Sequence, residues 1–121
     1  MKNILTVLAS CLLITGCTHR IGDFTVVSSK NIDMTHVADF KRGATRVKGE
    51  DSVPIILAVP AGFPNMKTAL DRAIEKTPGA VALTDAVITQ KAFSFILFGQ
   101  SGFEVEGTPL IDTKASANTV K

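Results

Sequence analysis

Beyond the first twenty residues, one stretch alone has helical periodicity, which confines the chain to folds that set a single helix against strands. Met66, Ala69, Leu70, Ala73, Ile74 and Thr77 fall at i, i+3, i+4, i+7, i+8 and i+11, the spacing of one apolar helix face. Lys67, Thr68, Asp71, Arg72, Glu75 and Lys76 occupy the other face, with Lys67/Asp71 and Arg72/Glu75 spaced to pair. Asn65 is placed to cap the start, and Pro78-Gly79 stops the run.

The remainder reads as extended chain. Residues 23–29 are β-branched and aromatic, which predicts a first strand, and Lys30-Asn31-Ile32-Asp33 a turn. Residues 36–48 predict a second extended stretch broken near Gly43, followed by a polar turn at Gly49-Glu50-Asp51-Ser52. The apolar run 53–59 is continuous, the pattern of a strand buried on both faces with Pro54 at its beginning. Residues 60–64 form a loop before the helix. Residues 80–98 are strand-like but too long for one ordinary strand, so a bend or a break is expected. Gly99-Gln100-Ser101-Gly102 has hairpin-loop chemistry, residues 103–108 alternate as a returning strand, and a continuation after Pro109 reaches Asp112.

A chain of 121 residues suffices for one domain. The order β-β-β-α-β-β predicts an α+β fold: a two-layer sandwich of one mainly antiparallel sheet of about five strands, with a single amphipathic helix packed across it. Its core would be aliphatics and Phe, because the seven Phe are accompanied by no Trp or Tyr. Thirteen basic against eleven acidic residues exclude a dedicated nucleic-acid binder.

The chain opens with Met1-Lys2-Asn3, continues apolar over residues 4–14 and closes on Thr15-Gly16-Cys17. Such a sequence has the n-region, h-region and small-residue cleavage site of an export signal. A helix of that h-region spans about 16 Å, roughly half of a ~30 Å hydrocarbon core. Leu13-Ile14-Thr15-Gly16-Cys17 resembles the lipobox of bacterial lipoproteins. The resemblance implies a diacylglyceryl group on the Cys17 thiol, cleavage between Gly16 and Cys17, and acylation of the new amine. Each buried methylene adds about 0.8 kcal/mol, so two or three chains anchor a protein durably. Thr18 in place of Asp after the cysteine implies the inner leaflet of the bacterial outer membrane, with the domain in the periplasm. Cys11 leaves with the signal and Cys17 is consumed, so no disulfide is expected. The expected organisation is signal peptide 1–16, lipidated tether 17–22, domain 23–112 and C-terminal tail 113–121.

Signatures of familiar chemistry are missing. HExxH, CxxC, GxSxG and P-loop patterns do not occur, and no catalytic residue, metal site or cofactor is assigned. His19 lies two residues from the lipid; His36 lies near Asp33 and Asp39 and is the one place to imagine acid/base chemistry. Arg42, Arg46 and Lys48 share a parity and would form a basic surface toward lipid phosphates or an acidic neighbour. The alternative is pairing across the sheet with Glu104 and Glu106, which also share a parity. Apolar residues of both parities in residues 93–98 leave one face for the core and another for a partner, so self-association is an expectation.

Gly22-Asp23-Phe24-Thr25-Val26, Lys30-Asn31-Ile32-Asp33, Val47-Lys48-Gly49-Glu50-Asp51, the helix to Pro78-Gly79 and Val105-Glu106-Gly107-Thr108 resemble a group of small uncharacterised Gram-negative lipoproteins. That resemblance implies a periplasm-facing lipoprotein with a compact α+β domain and assigns no activity. The leading expectation is a non-enzymatic envelope lipoprotein that binds a protein partner or assembles with itself. A small-ligand or envelope-polymer binder with a pocket between helix and sheet is the alternative, and an enzyme centred on His36 the last.

Overall fold

The computed structural model describes residues 1–11, 14–95 and 97–114. Helix α1 (Lys2–Cys11) takes up most of the apolar run 4–14, while Leu12 and Leu13 lie outside the described residues. Among the described residues, no helix is long and apolar enough to cross a membrane. Strand β1 (Ile14–Val27) follows, then a 3-10 helix (Met34–Asp39) and the short β2 (Phe40–Arg42). Next come β3 (Val47–Ile56), β4 (Val59–Pro60), helix α2 (Met66–Glu75), β5 (Ala80–Phe95) and β6 (Phe98–Asp112).

These strands make one six-stranded antiparallel sheet, of order β1-β5-β6-β3-β4. Along β6, β2 takes over beyond the span that pairs with β3. The architecture is broadly α+β and mostly sheet, with six strands where about five were expected. The expected bend in the long strand occurs inside β5, where the register shifts between Thr84 and Val87. Asp85 sits there at φ 48°, and Arg42 ion-pairs with its carboxylate.

Helix α2 forms where periodicity and capping agree. The Asn65 side chain accepts a hydrogen bond from the Lys67 N–H at 2.8 Å, and the Asn65 N–H donates to the Asp51 carboxylate at 2.8 Å. Ala69, Leu70, Ala73 and Ile74 are buried against Leu83, Ile88 and Val105. Lys67 pairs with Asp71 at 2.6 Å. Arg72 turns away from Glu75 to meet the Asp51 carboxylate at 2.8 Å and the Glu50 carbonyl at 2.7 Å.

Four expectations are corrected. Gly49-Glu50-Asp51-Ser52 is no turn: it lies inside β3, where Gly49 faces α2 so closely that an added Cβ would sit 2.1 Å from the Ala69 carbonyl oxygen. Pro54 is interior to β3 rather than at its start. Its carbonyl accepts from the Ala61 N–H at 2.9 Å, so its missing donor faces the β4 side and costs no bond to β6. Residues 53–59 are not buried on both faces; Ile56, Leu57 and Val59 are exposed because the strand turns back at the sheet's end. Gly99-Gln100-Ser101-Gly102 is likewise inside β6, and the hairpin closes earlier, with Phe95 opposite Phe98.

Two further differences change the outline. Residues 17–22, expected as a tether, are paired in β1 against β5. Residues 36–48 are divided among the 3-10 helix, β2 and the start of β3. Of the expected tail, Thr113 and Lys114 continue from β6, and residues 115–121 lie outside the described residues.

The core is aliphatic. Ile74, Leu83, Ile88, Val105 and Pro109 are its largest fully buried side chains. None of the seven Phe is fully buried, and Phe24, Phe63, Phe93, Phe95 and Phe98 are exposed. Of the expected aliphatic and Phe core, the aliphatics form the buried part, and Phe103 packs against them half-buried. Three of those five lie in the β5–β6 hairpin and Phe63 in the loop after β4.

Candidate functional site

Strand alternation assigns the two faces of the sheet. Gly49, Val105 and Ile88 are register partners on the face that α2 covers. The next residues along each strand, Glu50, Glu104 and Thr89, point to the opposite face. There a cleft of about 470 Å³ opens, lined among others by Thr18, Glu50, Ser52, Lys91, Gln100 and Glu104. At the Gly49 crossing α2 and the sheet are in direct contact, since backbone already fills the place of a Cβ there.

Glu104 is the hub of the cleft. Its side chain is only 12% exposed and accepts from the Lys91 ammonium at 2.5 Å and from Lys48. Burial pushes its carboxyl up, but the hydrogen bonds from Lys48 and Lys91 outweigh that and hold it below the usual range. The Lys48 ammonium is in turn raised, first by its hydrogen bond to Glu104. Glu50 stands directly opposite Glu104 across β3 and β6, so both lysines are needed to offset like charges on neighbouring strands. Deeper toward the hairpin, the Gln100 amide donates to Ser52 at 2.6 Å, and the Phe93 and Phe98 rings stand 6.4 Å apart.

A pH prediction follows. Glu104 has a lowered native pKa, so its contribution is present above the ordinary carboxylate range and lost as pH falls through the lowered value. Glu104→Gln is expected to lower stability by about 1 kcal/mol at neutral pH. The deficit should shrink once pH drops below the ordinary carboxylate range and vanish only when pH has fallen through the lowered native value, where the wild-type carboxylate is itself protonated. Urea unfolding at several pH values measures it; a deficit independent of pH would contradict the assignment.

The expected basic residues are dispersed. Arg46 pairs with Glu106 at 2.8 Å, Lys48 with Glu104, and Arg42 with Asp85. Cross-sheet neutralisation thus describes Arg46 and Lys48, as the shared parities of Glu104 and Glu106 suggested, while Arg42 lies on a different strand and takes a different carboxylate. Lys91, Gln100 and Ser52 were missed. Alternation along β5 would have put Lys91 on the same face as Phe93, but the β5–β6 register that brings it to Glu104 is not readable from one strand.

The other candidates stay apart. His36 is exposed on the 3-10 helix, with its Nε2 3.7 Å from the Asp33 carboxylate. Asp33 is spent on the Thr35 hydroxyl at 2.6 Å and its N–H at 2.9 Å, and these bonds lower its pKa. Asp39 pairs with Lys114 at 2.6 Å. Among the described residues no group of three or more His, Cys, Asp or Glu is placed to hold a metal ion. Ser28 donates to the Val81 carbonyl at 2.5 Å, and Ser29 donates to Asp71. The two hydroxyls tie the chain after β1 to β5 and to α2.

Cys17 is exposed in β1, opposite Ala92 of β5. β1 is an edge strand, and Ile21, Phe24 and Val26 along it are exposed. Its register slips between Arg20 and Gly22, where Arg20 and Asp23 pair at 2.6 Å. Elsewhere the outer backbone groups of this edge face solvent, a template for another strand. No family model matches the chain, and no curated protein or solved structure matches it either.

Proposed function

We propose that this chain is an envelope lipoprotein, anchored through Cys17 in the inner leaflet of a bacterial outer membrane, whose non-enzymatic periplasmic domain binds a protein partner or a second copy of itself. The observation that carries the anchor is the lipobox-like run ending at Cys17, placed directly after an apolar segment too short to span a bilayer. The exposure of Cys17 on an outer strand is consistent with a thiol presented to a modifying enzyme. The domain is read as a two-layer sandwich in which α2 is the one amphipathic helix over the sheet.

The partner reading draws on the β1 edge. Cleavage after Gly16 would remove the pairs Ile14–Phe95, Thr15–Ser94 and Gly16–Phe93. Residues 93–95 would then become edge as well, continuing the free side of β1. Unpaired edges with exposed apolar side chains are the surfaces on which strands add.

The cleft around Glu104 favours a second reading, a small-ligand or envelope-polymer module. It offers the Lys91 ammonium, the Glu50 and Glu104 carboxylates and the Gln100 amide beside Phe93 and Phe103, a set suited to a polar ligand with an apolar edge.

Photo-crosslinking in the intact envelope separates these readings. A crosslinker at Thr25, on the outer strand, is expected to give one discrete adduct, a copy of the chain or a single other protein. A crosslinker at Lys76, beyond α2, should give none. Absence of a discrete adduct at Thr25 would contradict the partner reading.

A further inference from the structure

The end of the sheet nearest Cys17 is built against ordinary turn chemistry. The β3–β4 hairpin closes on Leu57 and Ala58, at φ 52° and 64°. That left-handed pair is the geometry in which Asn-Gly is the unstrained choice. The β5–β6 hairpin closes between Phe95 and Phe98 and has Leu97 in its turn. A backbone hydrogen bond of 2.8 Å from the Leu57 N–H to the Leu97 carbonyl ties the two tips together. Ile56, Leu57, Val59, Phe95, Leu97 and Phe98 are each 46–65% exposed there. Phe63, beside them in sequence, is 92% exposed.

Charge is excluded from the same end. Residues 52–66 and 92–103 contain no Asp, Glu, Lys or Arg, although such residues make up 20% of the chain. An exposed apolar patch of this kind, with strained turns kept apolar, calls for a specific occupant.

The position of Cys17 identifies it. Cys17 pairs with Ala92, three residues before Phe95, so the tip lies about 10 Å beyond Cys17 along the strands. β1 begins at the tip and runs away from it, so a chain starting at Cys17 presents its amine and thioether toward that end.

We infer that the paired tips of the β3–β4 and β5–β6 hairpins seat in the headgroup–acyl boundary of the bilayer that holds the acyl chains of Cys17, making a second membrane contact. The inference rests on the lipoprotein reading above. Seating is shallow, about 5–10 Å, because the strand edge left at residues 93–95 has backbone groups that hydrocarbon cannot satisfy. The contact fixes the domain's orientation: the β1 edge stands along the membrane normal, and the end of α2 points into the periplasm.

The test uses the processed, acylated protein in vesicles of phosphatidylethanolamine and phosphatidylglycerol containing doxyl-labelled lipid. With Cys11 removed and Cys17 blocked, an introduced cysteine is the one free thiol. A fluorophore at Leu57→Cys is expected to lose roughly half its emission to shallow doxyl groups, and one at Glu75→Cys none. Replacing Leu57 by Asn and Ala58 by Gly should raise thermal stability yet reduce quenching of a probe at Leu97→Cys about twofold. That opposition separates loss of contact from misfolding.

Intact mass of the same preparation separates the two claims. Acyl chains present with an unquenched Leu57→Cys probe would overturn the tip contact and leave the lipoprotein reading intact. A mass without acyl chains would overturn both. Disulfide dimers of Leu57→Cys without quenching would show a second copy on the tip and overturn the membrane contact.

Discussion

Replacing Gly49 by alanine is expected to unseat α2 and cost about 3 kcal/mol, a fall in Tm of roughly 15 °C for a domain of this size. The new Cβ would lie 2.1 Å from the Ala69 carbonyl oxygen, 2.4 Å from the Ala73 nitrogen and 2.9 Å from the Ala73 Cα. All three are backbone atoms of α2, so no rotamer change relieves the contact. The helix must lift, and Ala69, Ala73 and Ile74 lose their packing on Ile88 and Val105. Gly62→Ala is the control: its nearest neighbour would be a Val53 methyl at 3.7 Å, an ordinary contact. Thermal unfolding followed by circular dichroism measures both. Equal Tm values for the two variants would contradict the close seating of α2.

Cys17→Ser is expected to have the largest effect on where the protein resides. A hydroxyl does not replace the thiolate in forming the thioether, so the variant should take up no acyl label and should retain residues 1–16. Retention of the leader also keeps the pairs between residues 14–16 and 93–95, which cleavage of the wild type would remove. Hydrogen exchange at residues 93–95 should then be slower in the variant than in the processed protein, by about the protection of a paired strand over a free edge. Radiolabelled palmitate and amide exchange give the two readouts. Acylation of the serine variant would place the lipid on another residue.

Helix α2 was legible because periodicity, cap and stop agree between Asn65 and Gly79. The strands were legible as extended chain, but their ends were not. Gly49-Glu50-Asp51-Ser52 and Gly99-Gln100-Ser101-Gly102 have turn composition, yet both sit inside strands. In the first, glycine provides close approach to α2 and Asp51 receives the Asn65 N–H and the Arg72 guanidinium. In the second, a Cβ on Gly99 would meet the Phe93 carbonyl oxygen at 2.6 Å and one on Gly102 the Asp51 carbonyl oxygen at 2.7 Å. The true turns hold Leu57, Ala58 and Leu97, residues that no turn rule selects.

Burial is hard to read from the sequence for the same reason. Large apolar residues at 53–59 and 93–98 suggest a core, but α2 covers the sheet only near Gly49, Ile88 and Val105. The far end is left open, and its Phe residues with it. Within the candidate site, parity alone anticipated Arg46 with Glu106 and Lys48 with Glu104. Lys91 entered only through the β5–β6 register, which depends on the bulge at Asp85 and on the position of an apolar turn. Those are tertiary facts, invisible to local pattern.

The most direct measurement is intact-mass spectrometry of the protein extracted from the envelope of a Gram-negative host. A polypeptide beginning at Cys17, heavier by a diacylglyceryl group and one amide-linked acyl chain, is the expected result. A chain beginning at Met1 with both thiols unmodified would contradict the account.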